Sequence, residues 1–247
     1  MHYLKTEAII LSKKIRGEFG VVINFYTPGH GKLEGVVSGA KKISSKLNAH
    51  CEPLSLSELM LARGVSAWRV AGAVTLQNFE PVNKSFEQIF AAQYLAQLTN
   101  SLLDKEQPEK QIYFLLKKTL ELLAKQVKTE KVLLLVAAYL LKLVAMLGYQ
   151  PNLKTCLRCQ KNLPAQKNIL ELLAGGFYCP TCVKLDKKVS YKRVNPAVIK
   201  VWRVLLQDDL EKALRLHLSL TQVRTIFSLI TEFSQIHSQK SINFLWL

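Results

Sequence analysis

TEAIILSKKIRGEFGVVINFYTPGHGKLEGVV, residues 6–37, alternates short β-rich runs with clusters of turn-forming residues. Its three runs, TEAIIL, VVINFYT and LEGVV, are rich in the β-branched and aromatic residues that favour strands. The glycines and the proline of RGEFG and TPGHG separate these runs, as turn residues do. The stretch therefore predicts three successive strands joined by short turns.

Two further runs of the same kind follow, SLSELML at residues 55–61 and WRVAGAVTL at residues 68–76. Five short strands within 80 residues suit a small closed barrel, and five is the strand count of the OB-fold, a common platform for single-stranded nucleic acid. An SH3-like barrel would give the same pattern, so the pattern alone leaves both open. We predict a small barrel domain over residues 1–80, and an OB-fold there would be suited to binding DNA.

From Pro81 onwards the apolar residues follow a helical period instead. Ser85 and Gln88 form the capping-box pattern that starts a helix. The apolar face predicted for this helix consists of Phe86, Ile89, Phe90, Tyr94 and Leu98.

More helices are indicated further along the chain by residues typical of helix ends. A second and a third helix precede the cysteine-rich segment, and one helix followed by two further helical stretches comes after it. The residues that mark these ends are Pro108, Thr129, Gly148, Asn195 and Pro196. The sequence thus predicts an α+β protein whose residues 81–247 form a helical bundle domain.

Four of the five cysteines lie in TCLRCQKNLPAQKNILELLAGGFYCPTCVK, residues 155–184. They form two C-x-x-C pairs, Cys156 with Cys159 and Cys179 with Cys182, a spacing typical of a zinc site. A redox centre needs one such pair, and disulfides are disfavoured in the cytoplasm. We predict one structural Zn²⁺ in a module at about 151–190. We also predict that Gly175 and Gly176 form the turn that brings the second cysteine pair back to the first.

Four thiolates fill the coordination shell of zinc, whereas catalytic zinc keeps one position for water. HCE, residues 50–52, matches the H-x-E half of the zinc deaminase signature, but neither C-x-x-C pair follows a proline. We therefore interpret Cys51 as a small buried hydrophobe. Since Walker, G-x-S-x-G and H-E-x-x-H motifs are also missing from the sequence, we predict no catalytic residue.

The charge of the chain points to a polyanionic partner. Its 34 Lys+Arg against 18 Asp+Glu give a formal net charge of +16, spread along the sequence. We favour nucleic acid over an anionic membrane surface, because no amphipathic basic anchor stands out. Two loop clusters between predicted strands are candidate phosphate contacts, although each could equally be a solvated face. They comprise Lys13, Lys14 and Arg16, and Lys41, Lys42 and Lys46.

Hydropathy predicts a cytoplasmic protein without a membrane span. Near the start, the continuous apolar run covers residues 8–11, far below the roughly 7–15 apolar residues of a secretory signal. The longest apolar segment, Val132–Leu147, is shorter than the roughly 20 residues of a span and contains Lys142. We predict that it is a buried core helix.

Several motifs in order make the sequence similar to the RecO family of bacterial recombination mediators. The N-terminal ones are TEAIILSKKIRGEFGVVINFYTPGHGKLEGVVSGAKKISSKL and EPLSLSELML. LLKLVAMLGYQPNLKTCLRC, GGFYCPTC and HSQKSINFL follow, so that the resemblance covers essentially the whole chain.

The resemblance implies an N-terminal OB-fold, a helical domain with a zinc module, and no cofactor-dependent enzymatic activity. Members bind single- and double-stranded DNA, anneal complementary strands and contact the C-terminal tail of the single-stranded DNA-binding protein. They act with RecR, often also RecF, to load the RecA recombinase. By this similarity Lys41, Lys42 and Lys46 are the best candidate DNA contacts, and the four cysteines match the zinc ligands of the metal-binding members.

The resemblance also implies a pocket for the partner's tail in the helical domain, which no motif locates. The family's basic residue early in the third helix corresponds to Ala137 or Ala138 here, and Lys142 is a weak substitute. We expect a monomer that associates with the nucleoid during repair. Two rival hypotheses are a zinc-dependent nucleic-acid-modifying enzyme that uses His50 and Glu52, and a zinc-ribbon accessory protein of transcription or translation.

Overall fold

The computed structural model describes residues 3–16, 20–38, 46–64, 67–79, 85–164, 168–183 and 191–239. The chain divides into two compact units, Met1–Val127 and Lys128–Leu247. The sequence-based domain boundary at residues 80 and 81 stays a prediction.

The first unit contains a closed five-stranded barrel. Its strands are β1 (Tyr3–Arg16), β2 (Gly20–Thr27), β3 (Gly31–Val37), β4 (Ser55–Arg63) and β5 (Trp68–Asn78), and the short helix α1 (Lys46–Ala49) lies between β3 and β4. The barrel order is β1-β2-β3-β5-β4, closed by antiparallel pairing of β1 with β4. β3 and β5 are parallel, and the other neighbours are antiparallel. The predicted five strands are confirmed, and the barrel is OB-like.

Strand β1 is longer than the sequence predicted. The residues Lys13, Lys14 and Arg16 were expected in a loop, but they lie on β1 and pair with residues of β2. The difference arises because β1 has two partners: residues 3–9 pair with β4, and residues 9–16 pair with β2, with a register shift between Ile10 and Ser12. A bulge of this kind lets one strand bend around a small barrel.

The barrel core is apolar and closed to solvent. Its buried members are Ala8, Ile10, Val21, Ile23, Phe25, Leu33, Val37, Cys51, Leu59, Leu61 and Val70. These side chains alternate along the strands with more exposed ones, as expected where one face of each strand points inwards.

Two helices, α2 (Phe86–Leu102) and α3 (Lys110–Leu123), belong to the same compact unit as the barrel. The capping box of Ser85 and Gln88 is confirmed. The predicted apolar face of α2 is wrong at its start, because Phe86 is 76% and Phe90 is 44% exposed. The face that packs is rotated towards the alanines and leucines of the helix, and its buried residues include Ala91, Ala92, Tyr94, Leu95, Leu98 and Leu102.

The connector between α2 and α3, residues 103–109, is attached to the β2–β3 hairpin. The backbone N–H of Glu106 donates to the carbonyl of Lys32 at 3.0 Å, and the N–H of Glu109 donates to the Tyr26 hydroxyl at 3.2 Å. Gly31 makes the approach possible: its φ is +66°, and a Cβ there would lie 2.3 Å from the carbonyl oxygen of Gln107. The hairpin and the connector therefore form one packed edge of the first unit.

The second unit is built around α4 (Thr129–Met146), against which α5 (Pro196–Gln207), α6 (Leu210–Leu214) and α7 (Leu220–Ser238) pack. The helix ends predicted at Thr129, Gly148 and Asn195 are confirmed: α4 begins at Thr129, Gly148 has φ +95°, and the Asn195 side chain accepts from Ala197 N–H at 2.9 Å. Pro108 was predicted to open a helix, but α3 begins after it, at Lys110. α4 is buried on nearly all sides, as predicted for a core helix. None of the helices described combines the length and the apolar character that crossing a membrane requires.

Between α4 and α5 the chain forms a small four-stranded sheet that the sequence did not reveal. Its strands are β6 (Asn152–Cys156), β7 (Ile169–Glu171), β8 (Gly176–Tyr178) and β9 (Tyr191–Arg193), in the order β6-β8-β7-β9. This sheet carries the cysteines.

Candidate metal centre and nucleic-acid surface

The small sheet brings the two cysteine pairs together. Cys156 ends β6 and Cys179 follows β8, while Cys159 and Cys182 lie in the turns that come next. The sulfur atoms of all four lie within 4.8 Å of one another. This meeting depends on the turn between β7 and β8, where Gly175 has φ +67° and its carbonyl accepts from Asn152 N–H at 2.8 Å. The predicted glycine turn is confirmed.

Hydrogen bonds at the sulfur atoms favour the thiolate form that binds metal. The hydroxyl of Thr181 lies 3.0 Å from Cys179 Sγ and, with further hydrogen bonds, lowers the pKa of Cys179 to about 6. Burial raises the pKa of Cys156, but backbone N–H donors outweigh it and lower this pKa overall. Two of these donors are Arg158 N–H at 3.5 Å and Cys179 N–H at 3.3 Å.

The fourth thiol shows why the cluster fits a cation. Hydrogen bonding to Cys179 and Cys159 raises the pKa of Cys182 to about 12. Four thiolates this close would repel one another, and a bound cation would relieve that repulsion. A tetrahedral zinc site with metal–sulfur bonds of about 2.3 Å separates its sulfurs by about 3.8 Å. Cys159 Sγ and Cys179 Sγ are 3.9 Å apart. The four cysteines could hold a metal ion and would fill its coordination shell.

Aromatic packing attaches the cysteine-bearing sheet to the helices of the second unit. Trp202 of α5 is fully buried between Phe177 of β8 and Phe233 of α7, in edge-to-face contacts with centroids 6.2 and 5.9 Å away. His237 Nε2 lies 2.8 Å from the carbonyl oxygen of Leu172. The metal cluster therefore lies on a sheet that is itself anchored in the helical core.

The H-x-E triplet has structural contacts in the barrel. His50 Nδ1 lies 2.9 Å from Thr75 Oγ1, and Glu52 pairs with Lys13. Cys51 is fully buried and burial raises its pKa to about 11, which confirms it as a core residue. Within the described residues, neither His50 nor Glu52 joins a group of three or more ligands that could hold a metal. The geometry gives the enzyme hypothesis no support.

The six basic candidate residues differ in exposure, and three of their side chains lie outside the described residues. Lys14 and Arg16 are exposed at the end of β1. Lys13 is mostly buried, and its ammonium donates to Glu52 and to the carbonyl of Asn48. Lys41 and Lys42 lie outside the described residues, as does the side chain of Lys46, whose backbone begins α1. The Lys13 contacts place the end of β1 beside the segment that follows the second cluster.

Other lysines donate hydrogen bonds inside the fold, a role that the sequence did not predict for them. Lys142 donates to the carbonyls of Leu206 and Asp208 at 3.0 and 2.8 Å, and burial lowers its pKa although nearby aspartates oppose this. It therefore caps the end of α5. Lys32, Lys131 and Arg203 similarly donate to backbone carbonyls. Because its ammonium already donates to these carbonyls, Lys142 is a poor substitute contact for an acidic tail.

The chain combines an OB-like barrel, a helical unit with a small sheet whose four cysteines could hold a metal, and a strongly basic composition. This combination is typical of nucleic-acid-binding proteins. Comparisons with known proteins agree with this class. Residues 1–79 match the family model for recombination protein O, N terminal, and residues 83–243 match that for recombination protein O, C terminal. The chain belongs to the RecO family of DNA repair and recombination proteins.

Its relatives span nearly its whole length. The DNA repair protein RecO of Dehalococcoides mccartyi is 30% identical over 218 residues, which are 88% of this chain and 84% of that protein. The DNA repair protein RecO of Caldanaerobacter subterraneus is 27% identical over 237 residues, 96% of this chain and 94% of the relative. That of Roseiflexus sp. is 32% identical over 215 residues, 87% and 74% of the two chains.

Proposed function

We propose that this chain is a recombination mediator that binds single- and double-stranded DNA and anneals complementary strands. It helps to load the RecA recombinase onto strands coated by the single-stranded DNA-binding protein. The observation that carries the proposal is the match of both RecO family models, in order, to the barrel and to the part that follows. The net charge of +16 supports a DNA partner.

Annealing of this kind needs proximity and charge neutralisation rather than bond chemistry, so the protein acts without a catalytic step. A positive surface that holds two strands by their phosphates lowers their mutual repulsion, and complementary bases then pair. The exposed side chains of Lys14 and Arg16 are two of the phosphate contacts. Lys41, Lys42 and Lys46 supply the others, and Lys13 contributes by holding β1 against the segment after them.

The four cysteines bind one zinc ion in this proposal. Tetrahedral thiolate donors with a closed shell suit zinc, which would supply folding energy to the small sheet. The metal has a structural role. The chain takes part in repair by contacting RecR, RecF and the tail of the single-stranded DNA-binding protein. It works as a cytoplasmic monomer at the nucleoid.

The combined change Lys41→Ala and Lys42→Ala should slow strand annealing on strands precoated with the single-stranded DNA-binding protein. Each lysine that contacts a phosphate adds about one unit to the slope of log affinity against log salt, so the slope should fall by up to about two. Annealing rates and fluorescence anisotropy between low and moderate salt measure both effects.

The matched control removes the same charge elsewhere, by Lys125→Ala and Lys128→Ala at exposed positions beyond α3. We expect this control to anneal at nearly the wild-type rate. If the Lys41 and Lys42 variant anneals as fast as the control, the assignment of these lysines is refuted. Salt-independent binding would refute the electrostatic mechanism itself.

A further inference from the structure

A cavity of about 410 Å³ opens at one end of the barrel. It is bounded by the β2–β3 turn, by the adjoining ends of β4 and β5, and by the connector between α2 and α3. Its lining includes His30, Arg63, Gly64, Trp68 and Glu106. All these residues belong to the first compact unit. None of them was a candidate in the sequence analysis.

The β2–β3 turn, which lines the cavity, lies at the opposite end of strand β2 from Arg16 of β1. Strand β2 begins beside Arg16, with which Gly20 pairs, and ends at Thr27, next to the turn that lines the cavity. Eight residues of strand span roughly 25 Å. Since its lining contains none of the six basic candidates, the cavity is a second place where the barrel can hold a ligand.

The lining combines an aromatic ring, two basic groups and a carboxylate. Trp68 is partly buried and packs against the barrel core, which fixes its position. Arg63 and His30 are exposed, and among the described residues their side chains form neither a hydrogen bond nor an ion pair. Glu106 is exposed at the opposite wall. The volume falls within the roughly 300–1,000 Å³ of small-ligand sites.

The walls of the cavity are held in place before any ligand arrives. The N–H of Glu106 donates to the Lys32 carbonyl at 3.0 Å, and Lys105 forms an ion pair with Glu34 at 3.1 Å. Across the barrel edge, Gly64 N–H donates to the carbonyl of Ala67 at 3.1 Å. A preformed site loses little conformational entropy on binding, which favours affinity for a small group.

We propose that this cavity holds one unpaired nucleotide of single-stranded DNA. The base stacks on Trp68, the adjacent phosphate contacts Arg63 and His30, and Glu106 accepts a hydrogen bond from an exocyclic amino group. The inference rests on the proposed function, since it presupposes that the barrel binds DNA. A base in a duplex is stacked and paired, and could enter only after flipping out. The cavity therefore selects single strands, whereas the lysine cluster accepts either form.

The first test compares two arginines that differ in position but not in charge. Arg63→Gln alters the cavity, while Arg69→Gln removes an exposed arginine from β5 that does not line it. We expect Arg63→Gln to weaken binding of the full chain to a twelve-nucleotide deoxycytidine strand, whose bases carry the exocyclic amino group, about tenfold more than Arg69→Gln does. Both variants should bind a duplex of the same length equally. Equal effects of the two variants on the single strand would overturn the proposal.

The second test uses tryptophan fluorescence as a local signal. Base stacking on Trp68 should quench its emission when the single strand saturates the protein, and Trp68→Phe should abolish this quenching. Trp202 is fully buried and gives an internal reference. Since Phe keeps an aromatic ring against the core, the variant should remain folded, and its circular dichroism checks this. No quenching in the wild-type chain would refute the stacking contact.

A third variant, Trp68→Ala, should lower single-strand affinity at least about fivefold, since base stacking on an aromatic ring contributes at least that factor.

The outcomes of these tests distinguish a failure of the proposed function from a failure of the cavity proposal. A wild-type chain that binds neither single strands nor duplex would refute the proposed function. A chain that binds both, with no response to changes at Arg63 and Trp68, would refute the cavity alone. Binding of an acidic peptide there instead of a nucleotide would also overturn it.

Discussion

If the four cysteines hold zinc as proposed, replacing Cys156 with serine should abolish metal binding and unfold the small sheet of the second unit. Cys156 is fully buried, and its sulfur accepts hydrogen bonds from two backbone N–H groups. A structural zinc ion contributes on the order of 10 kcal/mol to folding, more than a single buried side chain does. We expect the zinc content of the purified chain to fall from one ion to near zero, measured by elemental analysis after dialysis.

The matched control is Cys51→Ala, which removes a buried thiol from the barrel core instead. It should retain one zinc ion and lose stability only through a small cavity. A chelator should reproduce the Cys156→Ser effect in the wild-type chain, as a drop in thermal midpoint that added zinc reverses. One zinc ion retained by Cys156→Ser, or a thermal midpoint insensitive to chelation, would contradict a four-cysteine structural site.

The second large effect is expected at Gly31, where the hairpin meets the α2–α3 connector. In Gly31→Ala the new Cβ would lie 2.3 Å from the Gln107 carbonyl oxygen, at a φ of +66° that alanine rarely adopts. Backbone strain of about 1–3 kcal/mol and a similar overpacking cost should together lower the free energy of unfolding by about 2–6 kcal/mol. For a chain of this size the thermal midpoint should fall by roughly 4–24 °C.

Gly29 in the same turn is the matched control, because a Cβ there meets no atom within 4 Å. Gly29→Ala should shift the thermal midpoint by little. Calorimetry on both variants would distinguish a specific clash from a general intolerance of the turn. Equal thermal midpoints for the two variants would contradict this prediction. They would mean that the α2–α3 connector can move away from the new Cβ at low energetic cost.

Local signals predicted the barrel strands, the helix ends and the meeting of the cysteine pairs. Each of these depends on residues close in sequence: alternation within a strand, a cap at Ser85 or Asn195, and the spacing of two C-x-x-C pairs. The RecO family was recognised from motifs in order and is confirmed by the family comparisons.

What the sequence failed to reveal depends on contacts between distant segments. The end of β1 was taken for a loop because its lysines mask the alternation, and pairing with β2 makes it a strand. The helical period of α2 favoured Phe86 and Phe90, but these two are exposed, and smaller residues such as Ala91 and Ala92 are buried instead. The cavity is formed by three segments that no local pattern connects, so Arg63 and Trp68 carried no sequence signal.

Three lysines have their ammonium groups directed at backbone carbonyls near helix ends, namely Lys32, Lys131 and Lys142. Each is only partly exposed. Such amines should react slowly with acylating reagents whether or not DNA is present, because modification would require the helix ends to open. Chemical footprinting would therefore sort the lysines of this chain into structural ones, always protected, and those that DNA alone protects.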